Sequence, residues 1–146
     1  MSDAPTDGET ALWIALNRSQ RKVYREMDQA LKAQALPPLH WYDVLWSLER
    51  AGRAGKRAFE LERSLLFEQS NLSRLLKRMV VDGLVEEAVC TDDRRGKVLL
   101  ITPEGRRLRK LMWKTYARLI HQSMHDISLR DQQTLIRVLS ALAKTD

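Results

Sequence analysis

The stretch from Phe59 to Thr102 constrains this chain more than any other, because four differently patterned segments follow one another there without slack. Phe59, Leu61, Leu65 and Leu66 mark a short apolar-periodic segment. A polar turn, Glu68-Gln69, leads from it to Ser70. Leu72, Leu75, Leu76, Met79 and Val80 then recur at helical spacing. After Gly83 the pattern changes to two β-rich runs, Leu84 to Val89 and Lys97 to Ile101, on either side of a charged tip from Thr91 to Gly96.

Helix, turn, helix and hairpin in this order are the layout of a winged helix-turn-helix. The second helix is the informative one. Ser70 is expected as its N-cap, since the hydroxyl can accept from a free backbone N–H of the first turn. Gly83 is expected as the left-handed residue that ends it. The apolar set covers one face; Ser73, Arg74, Lys77 and Arg78 lie on the other, with Gln69 and Asn71 at the N-terminal end. Two readings fit this face. It is the solvated side of an ordinary amphipathic helix, or it belongs to a helix whose N-terminus enters the DNA major groove. The hairpin tip favours the second. Arg94, Arg95 and Lys97 stand at an exposed turn suited to the electronegative minor groove, and Asp93 suits a local partner that holds an arginine in place.

On these residues the chain resembles the MarR-type bacterial transcriptional regulators. The matching motifs are Gln69-Ser70-Asn71-Leu72-Ser73-Arg74-Leu75-Leu76, Asp82-Gly83-Leu84-Val85 and Asp93-Arg94-Arg95, followed at the family's spacing by Val98, Ile101, Thr102 and Gly105. Trp41-Tyr42-Asp43-Val44-Leu45 extends the resemblance upstream. The chain departs from the family's pattern at Glu86-Glu87, where an arginine is usual, and at Glu62, where an alanine is usual. The resemblance implies a homodimeric, ligand-responsive repressor on palindromic double-stranded DNA; an enzyme is not expected, since the chain shows no phosphate-binding glycine loop and no Ser, His and acid grouping. The resemblance also implies terminal helices that interlock with the partner subunit, and an aromatic or phenolic ligand between those helices and the DNA-binding lobe.

The rest of the chain fits one domain of 146 residues, mainly α, with a small β-hairpin wing and long N- and C-terminal helices. Residues 9–36 and 103–146 are expected as dimerisation helices around a winged lobe at 39–102. A formal charge of +6 and a pI near 9.8 favour a polyanionic partner. The single cysteine excludes an internal disulfide and suits a reducing cytoplasm. The acidic, polar start MSDAPTDGET does not read as a signal peptide, and no apolar run has membrane-spanning length. The first helix is expected from about Glu9 to Ala35. Thr6 and Glu9 are placed for a capping box, Leu12, Leu16, Val23, Met27 and Leu31 form a stripe, and Pro37-Pro38 ends it. That stripe must pack against distant parts of the chain or against another chain. Trp41, Val44, Leu45 and Leu48 mark the core face of a second helix from Leu39 to Ala51. Thr102-Pro103-Glu104 opens a long helix to about His125, with Leu108, Leu111, Met112, Leu119 and Ile120 expected buried and Arg106, Arg107, Arg109, Lys110, Lys114 and Arg118 on its polar side. Ser128 and Asp131 open a last helix with a stripe of Leu135, Val138, Leu139 and Leu142.

Trp13, His40, Trp41, Tyr42, Trp46 and Trp113 carry two readings, a solid aromatic core or the wall of a small-ligand pocket. His121 and His125, one helical turn apart, read either as a metal pair with Asp126 or His40 as further candidate ligands, or as solvent or interface histidines. Cys90 reads as a redox switch or as a small packed side chain. Its neighbours Glu86, Glu87 and Asp92 disfavour a thiolate, and the family's peroxide sensors carry their cysteine near the N-terminus, where this chain has none. No cofactor is expected. A protein-docking module and an RNA binder remain the alternatives to DNA binding; exposed aromatics for base stacking are missing from the reading helix and the wing.

Overall fold

In the computed structural model, which describes residues 3–89 and 96–144, six helices frame one β-hairpin. Helix α1 is Asp7–Ala33 and α2 is Leu39–Ala51; a 3-10 turn at Gly52–Ala54 leads to α3, Ala58–Ser64. Helix α4, Leu72–Val81, runs into strands β1, Val85–Val89, and β2, Lys97–Ile101, and the chain closes with α5, Pro103–Met124, and α6, Leu129–Ala143.

The end signals read from sequence operate at most of these boundaries. Thr6 and Glu9 form the capping box of α1: Thr6 Oγ1 accepts from Glu9 N–H at 3.1 Å and Glu9 Oε2 from Thr6 N–H at 2.7 Å. Helix α1 therefore begins at Asp7, two residues before the expected start. It ends at Ala33, because Ala35 takes a left-handed φ of 56° ahead of the two prolines. At the far end of α4, Gly83 (φ 75°) donates to the Val80 carbonyl and Leu84 to that of Met79, the paired bonds of a Schellman ending. Thr102 caps α5 by accepting from Gly105 N–H at 3.0 Å, with Pro103 in the first turn. Ser128 accepts from Asp131 N–H in the same way at α6.

Ser70 does not cap α4. The helix starts one residue later than expected, with Asn71 at the N-cap position and no side-chain cap bond. The segment 65–71 is held from elsewhere: the Asp43 carboxylate of α2 accepts from Leu66 and Phe67 N–H, and Gln69 Nε2 donates to the His40 carbonyl. Those ties fix the entry to α4 independently of a serine cap.

Two cores hold the elements together. Val44, Leu45 and Leu48 of α2, Leu61 of α3, Leu72, Leu75, Leu76 and Met79 of α4, and Val85, Leu99 and Ile101 of the hairpin form the first. The hairpin pairs antiparallel from Val85↔Ile101 to Val89↔Lys97, and Lys56 adds a single bridge to Leu99. Met27 and Leu31 of α1, Leu39 and Tyr42 of α2, and Met112 of α5 form the second; Trp41 and Leu108 pack against both. Gly105 makes the junction of α5 with the hairpin. A Cβ there would lie 2.3 Å from the Leu84 carbonyl oxygen, so only glycine allows this approach.

Several residues expected in the core are not in it. Phe59 and Leu66 stay exposed, because α3 is a two-turn helix that presents only Leu61, with Leu65 half-buried, to the core. Leu111 is 51% exposed, left uncovered by the other described elements. The stripe of α1 is buried at Met27 and Leu31 but open at Leu12, which is 63% exposed. Helix α6 buries none of its residues, and Leu135, Val138, Leu139 and Leu142 all face outward. No described helix is long and apolar enough to cross a membrane.

Candidate nucleic-acid interface and an adjoining cleft

Helix α4 divides by polarity. Leu72, Leu75, Leu76 and Met79 sit in the first core, while Ser70, Asn71, Ser73, Arg74, Lys77 and Arg78 are exposed. Gln69, Ser70, Asn71, Ser73, Arg74 and Lys77 line one side of an open groove, faced from α3 by Phe59 and Glu62. Arg63 places its guanidinium 5.6 Å from the centre of the Phe59 ring. Arg78 is drawn away from this groove toward the end of the helix, where its Nε lies 3.1 Å from Asp82 Oδ2. Lys97, at the tip end of β2, pairs with Glu87 across the strands at 3.2 Å. Asp93, Arg94 and Arg95 of the expected wing tip, and Cys90 beside them, lie outside the described residues.

A second concave site lies beside this lobe, between α2, the 65–67 segment and α5. Tyr42, Asp43, Trp46, Ser47, Arg50, Lys56, Leu65, Leu66, Phe67, Arg109, Trp113 and Tyr116 are among the residues that line it. One wall is aromatic: the Tyr42 and Trp113 rings stack at 5.9 Å, and Tyr116 meets each of them edge-on at 5.0 and 5.5 Å. The other wall carries cations. Arg109 lies over the Trp46 ring at 5.1 Å and forms an ion pair with Glu49 at 2.5 Å, both side chains largely buried. Lys56 Nζ donates to Ser47 Oγ at 3.3 Å, and Ser47 shares a hydrogen bond with Ser64. Burial pushes the Tyr42 phenol above its ordinary value, partly offset by a hydrogen bond from Arg109 and by its charge. Burial also raises the Asp43 carboxyl, against the two backbone N–H groups it accepts, which lower it.

The structure therefore brings three of the six candidate pocket residues together, Tyr42, Trp46 and Trp113. Trp41 is half-buried between the two cores, His40 meets the 65–71 segment through its carbonyl, and Trp13 stands 67% exposed on the N-terminal half of α1. Sequence reasoning missed Asp43, Lys56 and Arg109 as parts of this site. An acid inside the apolar run from Trp41 to Leu48 was a readable signal for Asp43. Nothing local distinguished Arg109 from its basic neighbours on α5.

The two histidines stack at 5.2 Å between ring centres. His125 Nδ1 lies 3.1 Å from the His121 carbonyl and its Nε2 lies 3.2 Å from Asp126. Among the described residues no three His, Cys, Asp or Glu side chains are grouped to hold a metal ion.

Three comparisons with known proteins bear on this geometry. Residues 36–96 match the family model described as the MarR family. The transcriptional activatory protein BadR of Rhodopseudomonas palustris is 25% identical over 151 residues, covering 99% of this chain and 86% of that protein. The fold matches Sco3205, a MarR family transcriptional regulator from Streptomyces coelicolor solved in complex with DNA, with a TM-score of 0.85 at 23% identity over 97% of this chain and 91% of the other. It also matches BpsR of Bordetella bronchiseptica, whose DNA binding is regulated by 6-hydroxynicotinic acid, with a TM-score of 0.82 at 15% identity over 98% of this chain and all of the other.

Proposed function

We infer that this chain, a member of the MarR family, regulates transcription by reading double-stranded DNA with α4, as a homodimer whose DNA affinity responds to a small aromatic acid. The observation that carries the reading is the division of α4. Its apolar face is locked into the first core, which leaves Gln69, Ser70, Asn71, Ser73, Arg74 and Lys77 together at an open groove. Short polar groups near the helix N-terminus suit base edges, and cations along the flank suit phosphates. The fold match to a regulator solved on DNA supports this use of the surface. Arg94, Arg95 and Lys97 of the hairpin are assigned to the minor groove on the same grounds as in the sequence, with Asp93 orienting the arginines.

Exposed apolar side chains at both ends of the chain support the dimer. Leu12, Trp13 and Ile14 of α1 and Leu135, Ile136, Val138, Leu139 and Leu142 of α6 are apolar side chains left exposed on these two helices. Residues 9–36 and 103–146 are accordingly assigned to dimerisation and 39–102 to DNA binding. The cleft combines an aromatic wall with Arg50, Lys56 and Arg109, which matches the chemistry of an aromatic carboxylate. Repression, as expected from sequence, requires an operator that overlaps the promoter; an upstream operator makes the same protein an activator.

Selection of bound sequences from a random duplex pool tests the reading. Palindromic sites with half-sites about 10 bp apart are expected. Absence of salt-dependent binding to any duplex would leave a protein-docking module instead. Screening aromatic acids such as benzoate by tryptophan fluorescence and by operator binding tests the cleft; a ligand that binds yet leaves operator affinity unchanged refutes the coupling.

A further inference from the structure

Helix α4 is secured very differently at its two ends. At its C-terminal end the Schellman bonds of Gly83 and Leu84 are reinforced from the next element, since Thr102 Oγ1 donates to the Gly83 carbonyl at 2.6 Å and Thr102 N–H to that of Leu84 at 3.1 Å. At its N-terminal end no side chain of the helix caps it. What places that end is the seven-residue connection 65–71, whose hydrogen bonds beyond α4 run to α2 and whose ring contact runs to α1. Leu66 N–H donates to Asp43 Oδ1 at 2.9 Å and Phe67 N–H to Asp43 Oδ2 at 2.8 Å. The Phe67 ring meets Tyr24 of α1 edge-on at 4.8 Å, and Gln69 Nε2 donates to the His40 carbonyl at 3.2 Å.

The Asp43 carboxylate is the strongest of these ties. It is 8% exposed, and a carboxylate is tolerated there only because both oxygens are occupied by backbone donors. Those two N–H groups lie outside any helix or strand, so Asp43 is also what satisfies them. The Leu66 side chain is 71% exposed, so the segment is held there mainly through its backbone. The charged and titratable groups that face the carboxylate are His40 on its own helix, Tyr24 on α1 and Tyr116 on α5.

We propose that Asp43 is a positioning residue for DNA recognition: by holding the Leu66 and Phe67 N–H groups it fixes where the N-terminal end of α4 is presented, and so sets discrimination between sequences more than overall affinity for DNA. The inference rests on the reading of α4 as the DNA-reading helix. Gln69, Ser70 and Asn71 follow Phe67 within four residues, so a displaced connection moves the base-reading groups directly. The phosphate-directed cations Arg74 and Lys77 sit further along a helix whose other end stays fixed. Asp43, Leu65, Leu66 and Phe67 also line the cleft, which puts the tie within reach of whatever binds there.

The test compares the full-length wild type with Asp43→Asn, which keeps the shape and one acceptor, and with Asp28→Asn as a control. Asp28 makes a similar bond, accepting from Leu39 N–H at 2.7 Å at the α1–α2 junction; it shares a groove with Leu66 and Phe67 but does not accept from their N–H groups. Affinities for the selected site and for a random duplex are measured at one salt concentration, and amide exchange is followed by NMR. Asp43→Asn is expected to lower the ratio of selected-site to random-duplex affinity about tenfold. The same variant is expected to speed exchange at the Leu66 and Phe67 amides while the Leu75 to Met79 amides stay protected. Asp28→Asn is expected to lower the melting temperature without changing the ratio. An unchanged ratio in Asp43→Asn, or equal losses on both duplexes, overturns the proposal. Should Asp43→Asn not fold, Asp43→Glu, which retains charge but shifts the oxygens, takes its place with the same expectation. A wild type that binds no duplex removes the DNA reading itself, and this inference with it.

Discussion

Gly105 offers a sharp test of how the winged lobe is joined to α5. Replacing it with alanine places a Cβ 2.3 Å from the Leu84 oxygen, 2.8 Å from Ile101 Cγ1 and 3.2 Å from the Leu84 carbonyl carbon. The oxygen cannot move away freely, because it accepts from Thr102 N–H, and Leu84 N–H is itself tied to the Met79 carbonyl. Overpacking against so constrained a partner costs about 1–3 kcal/mol. Alanine's better helix propensity returns less than about 1 kcal/mol, and less still in the first turn. The net loss is about 1–2 kcal/mol, which for a chain of this size lowers the melting temperature by roughly 2–8 °C. Gly8→Ala is the matched comparison. Its Cβ would meet nothing nearer than Thr6 Oγ1 at 3.8 Å, so it should leave stability unchanged or raise it by a few tenths of a kcal/mol, roughly. Thermal unfolding followed by far-UV circular dichroism, at one protomer concentration, measures both. A Gly105→Ala protein that melts at or above the wild-type temperature would falsify the argument that this contact is unyielding.

All three tyrosines of the chain, Tyr24, Tyr42 and Tyr116, have phenols raised above 10 chiefly by burial. Because the folded state holds these protons more tightly than the unfolded state, their contribution to stability is complete below pH 10 and is lost as pH rises beyond it. Spectrophotometric titration should find no phenol ionising normally in the folded protein; one that does so with the fold intact contradicts the packing. Leu139→Glu on α6 should shift the protein from dimer to monomer in sedimentation at micromolar concentration, and a dimer of unchanged affinity would place the interface elsewhere. Arg95→Ala should weaken binding to all duplexes and flatten the salt dependence, whereas Arg74→Ala should also alter sequence preference. If the two variants behave alike, the division between hairpin and reading helix is wrong.

Much of this was legible in the chain because local chemistry decided it. The caps at Thr6, Thr102 and Ser128 and the Gly83 ending depend on residues within a few positions of one another, and each formed as the sequence indicated. Ser70 was misjudged as a cap because the entry to α4 is set by Asp43, 23 positions before Leu66, and no local rule sees that. Leu111 and the α6 stripe have the periodicity of core residues, and periodicity does not say which molecule supplies the cover. The cleft was half legible: Tyr42, Trp46 and Trp113 were recognisable by type, but the cation beside them comes from α5 and only the fold selects Arg109 from its basic neighbours.

The Glu49–Arg109 pair has a consequence for any acidic ligand. Arg109 is already neutralised by a carboxylate of its own chain, with its guanidinium resting on Trp46. Glu49 thus holds the Arg109 charge that a carboxylate in the proposed ligand site would use, an internal competitor present at fixed effective concentration. An incoming acid gains at Arg109 only the difference between its own bond and the one it displaces, and must leave Glu49 a new partner or water. A weak, generic carboxylate cannot meet that condition. A molecule whose ring also engages Tyr42 and Trp113 can, so the Glu49–Arg109 pair would make the proposed ligand site selective.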